Sequence, residues 1–506
     1  MKLAFRVDAS PIIGIGHLTR CLALAQALRG LGAQSVFVTR DLGVDSAALV
    51  AAQGFDALQL AAPEAQQPAR VADGDTPHAA WAGVSQLVDA DDTCAAIEPF
   101  NPDWLVVDHY ALDRRWHERV TAGTDRRVCV IDDLADRVLR AELLVDHNPA
   151  ADHRAKYGAC AGAVARVLGG PRFALLGSAY ARAARYEFRP RVHSIGIFMG
   201  GTDALQMSAL ALRACREVAR FRGPIEVVTT SANPHLAALR ELCATSGPTE
   251  LRVDLPDLAG FFSRHDLQIG AGGGAAWERC CIGAPTLTLK WADNQSVVLD
   301  ALDAHGVVRT SPALTAEAIG AAVAALVEDH EARRLLSERS RGWIDGRGAE
   351  RVAVALFADT LSLRPATLDD AAAAHAWRDD ARTRRFFRNP APVAWDEHVA
   401  WWSRTLGDDR HRLLIALCGN RAVGSVRFDF EDDAAEVSLY LDPELTGLGL
   451  GRRLLEAAQR WIVTQAARIR RLAAEVQPEN AASAGAFRAA GFAQATPSTW
   501  TWEVAR

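Results

Sequence analysis

No uninterrupted apolar run in the 506 residues is long enough to cross a bilayer, so no membrane span is expected. No cysteine pair has the C-x-x-C spacing. The nine cysteines stand singly apart from Cys280-Cys281, which argues against zinc ligands or disulfides and points to reduced thiols in a cytoplasm. Long basic runs are missing as well. With 56 Lys and Arg against 62 Asp and Glu, the formal net charge is -6, the wrong sign for a nucleic-acid binder. Met1-Lys2-Leu3-Ala4-Phe5-Arg6 lacks the apolar core of a signal peptide and leads straight into a strand. There is no internal repeat, and no low-complexity tract beyond Ala-rich helices. What is present is an ordinary globular composition, 49% hydrophobic and 23% charged, in a chain too long for one core. Roughly two to four structural units are expected.

The most informative stretch runs from Phe5 to Leu28. Leu3, Phe5 and Val7 alternate with Ala4 and Arg6, the period of a strand. Asp8 to Pro11 break it, and Gly14-Ile15-Gly16 let the backbone come close to a ligand. Leu18, Cys21, Leu22, Ala25 and Leu28 then recur at helical spacing. His17 is thereby expected in the first turn of a helix, beside backbone N–H groups that attract anions. The positive end of the dipole disfavours imidazolium, so the ring is expected to be neutral and able to accept a proton. A base beside a diphosphate cradle suggests chemistry on a nucleotide-activated substrate. The same residues also fit a plain strand-to-helix turn with a solvated histidine. The turn is no Walker loop, since no Gly-Lys-Ser/Thr follows, and it lacks the third glycine of the dinucleotide fingerprint.

Strand patterns at 35–39, 104–107, 128–131 and 143–145 alternate with helical ones such as 47–53 and 91–100. A second alternation places strands at 194–199, 225–229, 251–253, 267–269 and 285–289. This is the order of doubly wound parallel sheets, and it suggests two facing α/β domains with a cleft between them. A third unit starts at about 362, after a helical stretch at 350–361. Its strands at 413–417, 422–429 and 436–441 crowd together before a helix at 451–466, as in a mixed or antiparallel sheet. The expected domain limits are 1–160, 161–358 and 362–506.

Gly270-Ala271-Gly272-Gly273-Gly274 follows a strand, and Ala275-Ala276-Trp277-Glu278-Arg279-Cys280 opens a helix. Here glycines let N–H groups face a diphosphate, and Glu278, one turn into the helix, can hold ribose hydroxyls. Asn294 and Gln295 set two amides at a further helix start, suited to hydroxyl or phosphate contacts. Together with Arg6-Val7-Asp8-Ala9-Ser10, Ile13-Gly14-Ile15-Gly16-His17, Arg20-Cys21-Leu22, Trp104 to Tyr110 and Ile131 to Ala135, these motifs resemble the UDP-sugar hydrolases of pseudaminic acid biosynthesis. The likeness runs from about Met1 to Val354. It implies two Rossmann-like domains of the MurG-like GT-B type, and hydrolysis of UDP-2,4-diacetamido-2,4,6-trideoxy-β-L-altropyranose to UDP and free sugar. His17 is then the candidate base, and Gly14, Gly16, Asp108, Tyr110, Gly272, Gly273, Gly274, Glu278, Asn294 and Gln295 are candidate substrate contacts. No metal is expected, because helix N-termini can steady the departing diphosphate. Thr202 stands where the family often has serine and keeps its hydroxyl.

Leu439-Tyr440-Leu441 ends a strand, and Gly447-Leu448-Gly449-Leu450-Gly451 leads into a helix with Arg452 and Arg453, again the pattern of a pyrophosphate cradle. With Ala473 to Val476, Asn480 to Ala490 and Gly491-Phe492, these residues resemble the GNAT acetyltransferases, an α+β fold over about Ser362 to Arg506. The resemblance implies acetyl-CoA as co-substrate, held by the backbone of Leu439 and Leu441, by Gly447, Gly449, Gly451 and Arg452, and by Asn480. As a fusion partner it most resembles the N-acetyltransferase of the same pathway, which acetylates the sugar's 4-amino group one step earlier. Two positions depart from the pattern. Thr446 stands where many members have Arg or Gln, and Phe487 stands where a tyrosine often supplies a proton. Glu436, Tyr440 and Ser483 are the substitutes for the acid or base.

Other polar and aromatic clusters have plainer readings. Asp89, Asp91 and Asp92 read as a helix N-terminus, not as a metal-binding Asp-x-Asp. Asp132-Asp133 reads as a turn, Cys280 and Cys281 as helix packing, and Trp401-Trp402 as core. The combined expectation is a cytoplasmic bifunctional enzyme acting on small UDP-sugars. The alternative is a MurG-like glycosyltransferase with a degenerate CoA- or UDP-binding GNAT module. The oligomeric state is open.

Overall fold

The computed structural model describes residues 1–63, 75–256, 258–290 and 293–504, with the backbone alone at 161–162 and 293–297. The chain divides into two compact units, Met1–Ala27 with Gln34–Glu350, and Leu28–Ala33 with Arg351–Arg506. None of the helices among the described residues is long and apolar enough to cross a membrane.

The first unit holds two parallel sheets. Its N-terminal strands are β1 (Lys2–Val7), β2 (Gln34–Arg40), β3 (Asp56–Leu60), β4 (Trp104–Asp108), β5 (Arg127–Ile131), β6 (Leu139–Ala141), β7 (Leu143–Asp146), β8 (Ala161–Val164) and β9 (Val167–Gly169). The sheet runs β3-β2-β1-β4-β5-β7-β9, while β6 and β8 pair apart from it. Phe5 lies in register with Phe37 on one side and Val106 on the other, and the Phe5 and Phe37 rings stack at 4.8 Å. Leu3, Ala4, Phe5 and Val7 are all buried, as befits a parallel strand with both faces covered by helices. The second sheet consists of β10 (Ile195–Phe198), β11 (Ile225–Thr229), β12 (Thr249–Val253), β13 (Leu267–Ala271), β14 (Thr286–Leu289) and β15 (Arg309–Thr310), in the order β12-β11-β10-β13-β14-β15. Strand order reverses between β1 and β4 in one sheet and between β10 and β13 in the other. At such switch points the loops leaving the strands' carboxyl ends part and open a crevice for a ligand.

Arg6 is the exception to the apolar interior of β1, being fully buried. Its guanidinium reaches Asp8 at 2.5 and 2.8 Å and Asp89 at 2.9 and 2.6 Å. Asp89 in turn accepts from Arg40 at 3.0 Å and from the Trp116 indole at 2.9 Å. Asp89 lies in the first turn of a helix, as the reading of the acidic cluster expects. The helix is Gln86–Ile97, capped by the Ser85 hydroxyl, and its Asp89 turns inward to close a buried knot of charge. Burial would raise the Asp89 carboxyl, yet the neighbouring Arg6 holds it below its ordinary value.

The second unit carries β16 (Ser362–Pro365), β17 (His411–Cys418), β18 (Arg421–Glu431), β19 (Ala434–Leu441), β20 (Arg471–Glu475), β21 (Ala493–Gln494) and β22 (Thr499–Glu503), in the order β16-β17-β18-β19-β20-β22-β21. Pairing is antiparallel except between β19 and β20, which match in parallel over only Ala434–Glu436 and Arg471–Ala473. Beyond that they part. Trp402 is fully buried, and its indole donates to the Thr367 carbonyl at 2.9 Å.

Removing a carboxylate from a closed ionic knot strands two buried guanidinium groups. Asp89→Asn is therefore expected to destabilise the first unit by about 3–5 kcal/mol, read as a lower midpoint of denaturant unfolding followed by tryptophan fluorescence.

Candidate active sites

The turn after β1 is built by its own polar atoms. The Ser10 hydroxyl accepts from the Ile12 and Ile13 amides at 3.2 and 3.0 Å, and the Gly14 amide donates to the Ser10 carbonyl at 2.8 Å. Gly14 closes this turn at φ +73°, where a side chain would be strained. The helix Gly16–Gly30 follows, with His17 as its second residue and Arg20 nearly one turn on, along the same face. Both side chains converge on Asp108, the last residue of β4, whose carboxylate has no exposure. His17 Nδ1 lies 2.6 Å from Asp108 Oδ1. Arg20 Nε and Nη2 donate to Oδ2 and Oδ1, both at 2.6 Å.

Burial alone would raise the Asp108 carboxyl, but the Arg20 charge and the His17 ring more than offset it and hold the group well below the usual range. The ionised Asp108 oxygen at 2.6 Å favours the tautomer with its hydrogen on Nδ1, although Arg20 Nη2 also lies 3.1 Å from that nitrogen. In the neutral ring, Nε2 is then the basic atom, and it has no hydrogen-bond partner among the described residues. The ring stands edge-on to Tyr110 at 4.7 Å and to Trp81 at 6.2 Å. The Tyr110 hydroxyl donates to Asp133, and burial together with the Asp133 charge keeps that phenol protonated. Asp133 also accepts from the Asn148 amide at 3.3 Å and lies 3.7 Å from Arg20. Burial pushes the imidazole of His147, which precedes Asn148, down to about 4.

Asp108 and Tyr110, expected as substrate contacts, thus spend their polar atoms on His17, Arg20 and Asp133. In this arrangement Asp108 fixes the histidine. Sequence reasoning gave Arg20, Trp81 and His147 no role. Arg20 had a usable signal, three residues beyond His17 on one helix. Asp133, read as part of a turn, belongs to the site, whereas Asp132 makes the turn by accepting from the Ala135 amide at 3.0 Å.

In the second sheet the loop after β13 leads into the helix Gly274–Ile282, with Gly273 as its cap at φ +80°. Gly272 is buried, and Gly273 and Gly274 are exposed. Glu278 is half-buried; burial pushes its carboxyl up, and a hydrogen bond from Tyr180 works against this. Trp277 of the same helix packs edge-on against His147 at 5.3 Å, which brings this helix to the carboxyl end of β7. Asn294 and Gln295 lie in the first turn of the helix Asp293–Ala304, and their side chains fall outside the described ones. No group of three or more His, Cys, Asp or Glu among the described residues is arranged to hold a metal ion.

In the second unit, alternate residues of β19 face opposite edges. The Asp442 amide donates to Val423 on the β18 side, and the Asp433 carbonyl accepts from Arg470 on the β20 side. Odd-numbered residues therefore face β20, so Leu439 and Leu441 turn their backbone groups into the gap where β20 has diverged. The helix Leu450–Gln465 follows Gly447 (φ +80°) and its cap Gly449 (φ +71°). At Gly451 a methyl group would come within 3.3 Å of the Ala486 Cβ, so the glycine keeps two helices close. Arg452 is exposed and paired with Glu456 at 2.7 Å. Asn480 caps the helix Ala481–Ala489 by accepting from the Ser483 amide at 3.1 Å. Glu436 is ion-paired with Arg388 at 3.2 Å, and Arg388 also bonds Glu475. Burial pushes the Tyr440 phenol up to about 12, so it holds a proton to give. Phe487 is buried against Phe492, with rings 4.9 Å apart.

Residues 360–493 match the acetyltransferase (GNAT) domain model. They form a GNAT domain, whose co-substrate is acetyl-CoA. The chain is also 26% identical over 197 residues to the spore coat polysaccharide biosynthesis protein SpsG of Bacillus subtilis (strain 168), covering 38% of this chain and 58% of that one. The crystal structure of MurG from Acinetobacter baumannii aligns with a TM-score of 0.48 at 15% identity, covering 70% of this chain and 98% of that one. The spermidine N-acetyltransferase of Vibrio cholerae, solved with CoA and spermine, aligns with a TM-score of 0.27 at 17% identity, over 28% of this chain and 95% of that one. The fold is α/β throughout the first unit, with two parallel, Rossmann-like sheets, and α+β in the GNAT domain.

Cys280 and Cys281 face the core, and burial pushes their thiols up to about 12 and about 11. Both stay protonated at about pH 8, where the thiolate is the reactive form. Iodoacetamide at that pH should leave them unmodified in the native protein and alkylate them after denaturation, as read by peptide mass spectrometry.

Proposed function

We propose that the first unit hydrolyses a UDP-linked diacetamido sugar and that the GNAT domain acetylates an amino group of its precursor. The single observation that carries the first part is the His17 ring, fixed through Nδ1 by a buried, ionised Asp108 and left with a basic Nε2. In the reaction, a water oxygen bonds to the anomeric carbon as the bond from that carbon to the diphosphate oxygen breaks. The water's proton goes to Nε2, and Asp108 steadies the imidazolium that results. UDP departs as a stable anion and needs little protonation. The exposed glycines at the start of the helix Gly274–Ile282 direct amide dipoles at that charge, and Glu278 is placed for the ribose. A diacetamido sugar is the substrate that the motif resemblance implies. The SpsG likeness, to a protein of polysaccharide biosynthesis, supports sugar chemistry more broadly.

For the GNAT domain, the substrate amine attacks the thioester carbonyl, and CoA leaves as the thiolate. The pantetheine amides would pair with Leu439 and Leu441 in the gap between β19 and β20, and the pyrophosphate would meet Gly447 to Gly451. Tyr440, protonated and half-buried, is the group best suited to return a proton to the thiolate; Glu436 and Ser483 are the other candidates. A reading in which the first unit transfers the sugar to an apolar acceptor has one observation in its favour, since Ile12 stands 81% exposed just before His17.

His17→Ala is expected to lower UDP release on the order of 10²–10⁴-fold while leaving the dissociation constant for UDP nearly unchanged. Steady-state UDP release from the diacetamido UDP-sugar, with and without chelator, checks this; unchanged turnover would remove the base assignment. Free sugar among the products supports hydrolysis, and a glycoside formed only when an acceptor is added would favour the transferase.

Tyr440→Phe in the full chain should lower CoA release with the UDP-4-amino sugar about tenfold or more, followed with a thiol reagent. Release that stays at the wild-type rate would leave Glu436 or Ser483 as the acid.

A further inference from the structure

Arg279 differs from the other fully buried arginines. Arg6 and Arg40 face Asp89, and Arg333 caps the carbonyls of Leu326, Val327 and Pro190. Arg279 has no exposure either, yet its Nη2 donates to the Ala271 carbonyl at 2.6 Å while Nε and Nη1 have no hydrogen-bond partner among the described residues. No carboxylate is seen to pair with it. The guanidinium curls back from the second turn of the helix Gly274–Ile282 to lie beneath the loop that precedes it. Gly270 makes the space: a Cβ there would fall 2.3 Å from Nη1 and 2.7 Å from the Phe198 carbonyl oxygen. Loop and guanidinium are therefore built together.

We propose that Arg279 is a positioning residue whose buried charge, paired with no carboxylate at salt-bridge distance and lying over the Phe262 ring at 5.8 Å, gives the Gly272–Gly274 turn its preference for a nucleoside diphosphate over the bare nucleoside. This rests on the UDP-sugar reading above and extends it. Several facts agree. A charge in a poorly polarisable interior acts over distances that water would screen. It adds to the field of the helix N-terminus and of the exposed Gly273 and Gly274 amides. Burial pushes Arg279 down, but only to about 10, so it keeps its proton at neutral pH. A diphosphate above the loop supplies the missing counter-charge without touching the side chain.

The test is calorimetric titration of the full chain with UDP and with uridine. Arg279→Met should weaken UDP binding about tenfold or more and change uridine binding less than about twofold, so the ratio of the two constants falls. Equal loss of both ligands, or loss of neither, overturns the proposal. If that variant does not fold, Arg279→Lys carries the test: a lysine buried there loses its proton more readily. Its UDP-to-uridine preference should decline between about pH 7 and about pH 9 relative to the wild type. The titratable neighbours Glu278, Cys280 and Tyr180 are common to both proteins and cancel in that comparison. A ratio that follows the wild type overturns the proposal. A wild-type chain that binds neither UDP nor uridine overturns the nucleotide reading itself.

Discussion

A carboxylate with no exposure to solvent must be matched by fixed donors and charge, and at Asp108 the match comes from one helix. Arg20 supplies two hydrogen bonds and the positive charge, and His17 supplies the third donor. Left unpaired, such a group would cost several kcal/mol, so the helix Gly16–Gly30 can dock on the carboxyl end of β4 in only one rotation. Everything else about the histidine follows from that docking. Its hydrogen sits on Nδ1, Nε2 is the basic atom, and the ring plane is set against Tyr110.

The second constraint lies just beneath. Asp8 accepts from Arg6 and from the Arg40 amide at 2.7 Å, and its other oxygen is 3.2 Å from the His109 ring. These contacts tie the ends of β1, β2 and β4 together where the strand order reverses, so the turn carrying Gly14 and the strand end carrying Asp108 share a rigid base. The candidate site rests on interlocking charge, an arrangement that favours one geometry more than it adds stability.

Much of this was legible in the sequence because the signals were periodic. Strands buried on both faces announced themselves as apolar runs, and the glycine turns fixed where β1 and β13 stop. Edge strands were harder. Of β3 only Leu60 is buried, and β15 is two residues long, so neither carries an apolar pattern. The placement of His17 in a first helical turn could be read directly, since it depends on local spacing alone. What holds His17 could not. Asp108 is 91 residues away, and its choice between a substrate and a neighbour is decided only when β4 is laid beside β1. The same reason explains Asp89, whose role depends on Arg6 and Arg40 from two other strands. Asn480 and Arg452 are the local counterpart: Asn480 caps its helix by accepting from the Ser483 amide three residues on, and Arg452 pairs with Glu456 four residues on.

Three glycine turns feed three helices, and local sequence makes them look alike. Their electrostatic surroundings do not. Behind the first turn stand two carboxylates, Asp108 and Asp133, against one guanidinium, Arg20. That balance gives little welcome to a diphosphate. Behind the second stands Arg279 with no carboxylate paired to it, which favours an anion. Following the third, Arg452 and Arg453 are both tied to Glu456, so an anion there depends on exposed amides more than on free charge. Under the proposed reading, the nucleotide belongs at the second turn and the reacting carbon near the first. The charges behind the glycines, far more than the glycines themselves, separate the half of the site that holds the leaving group from the half that takes the proton.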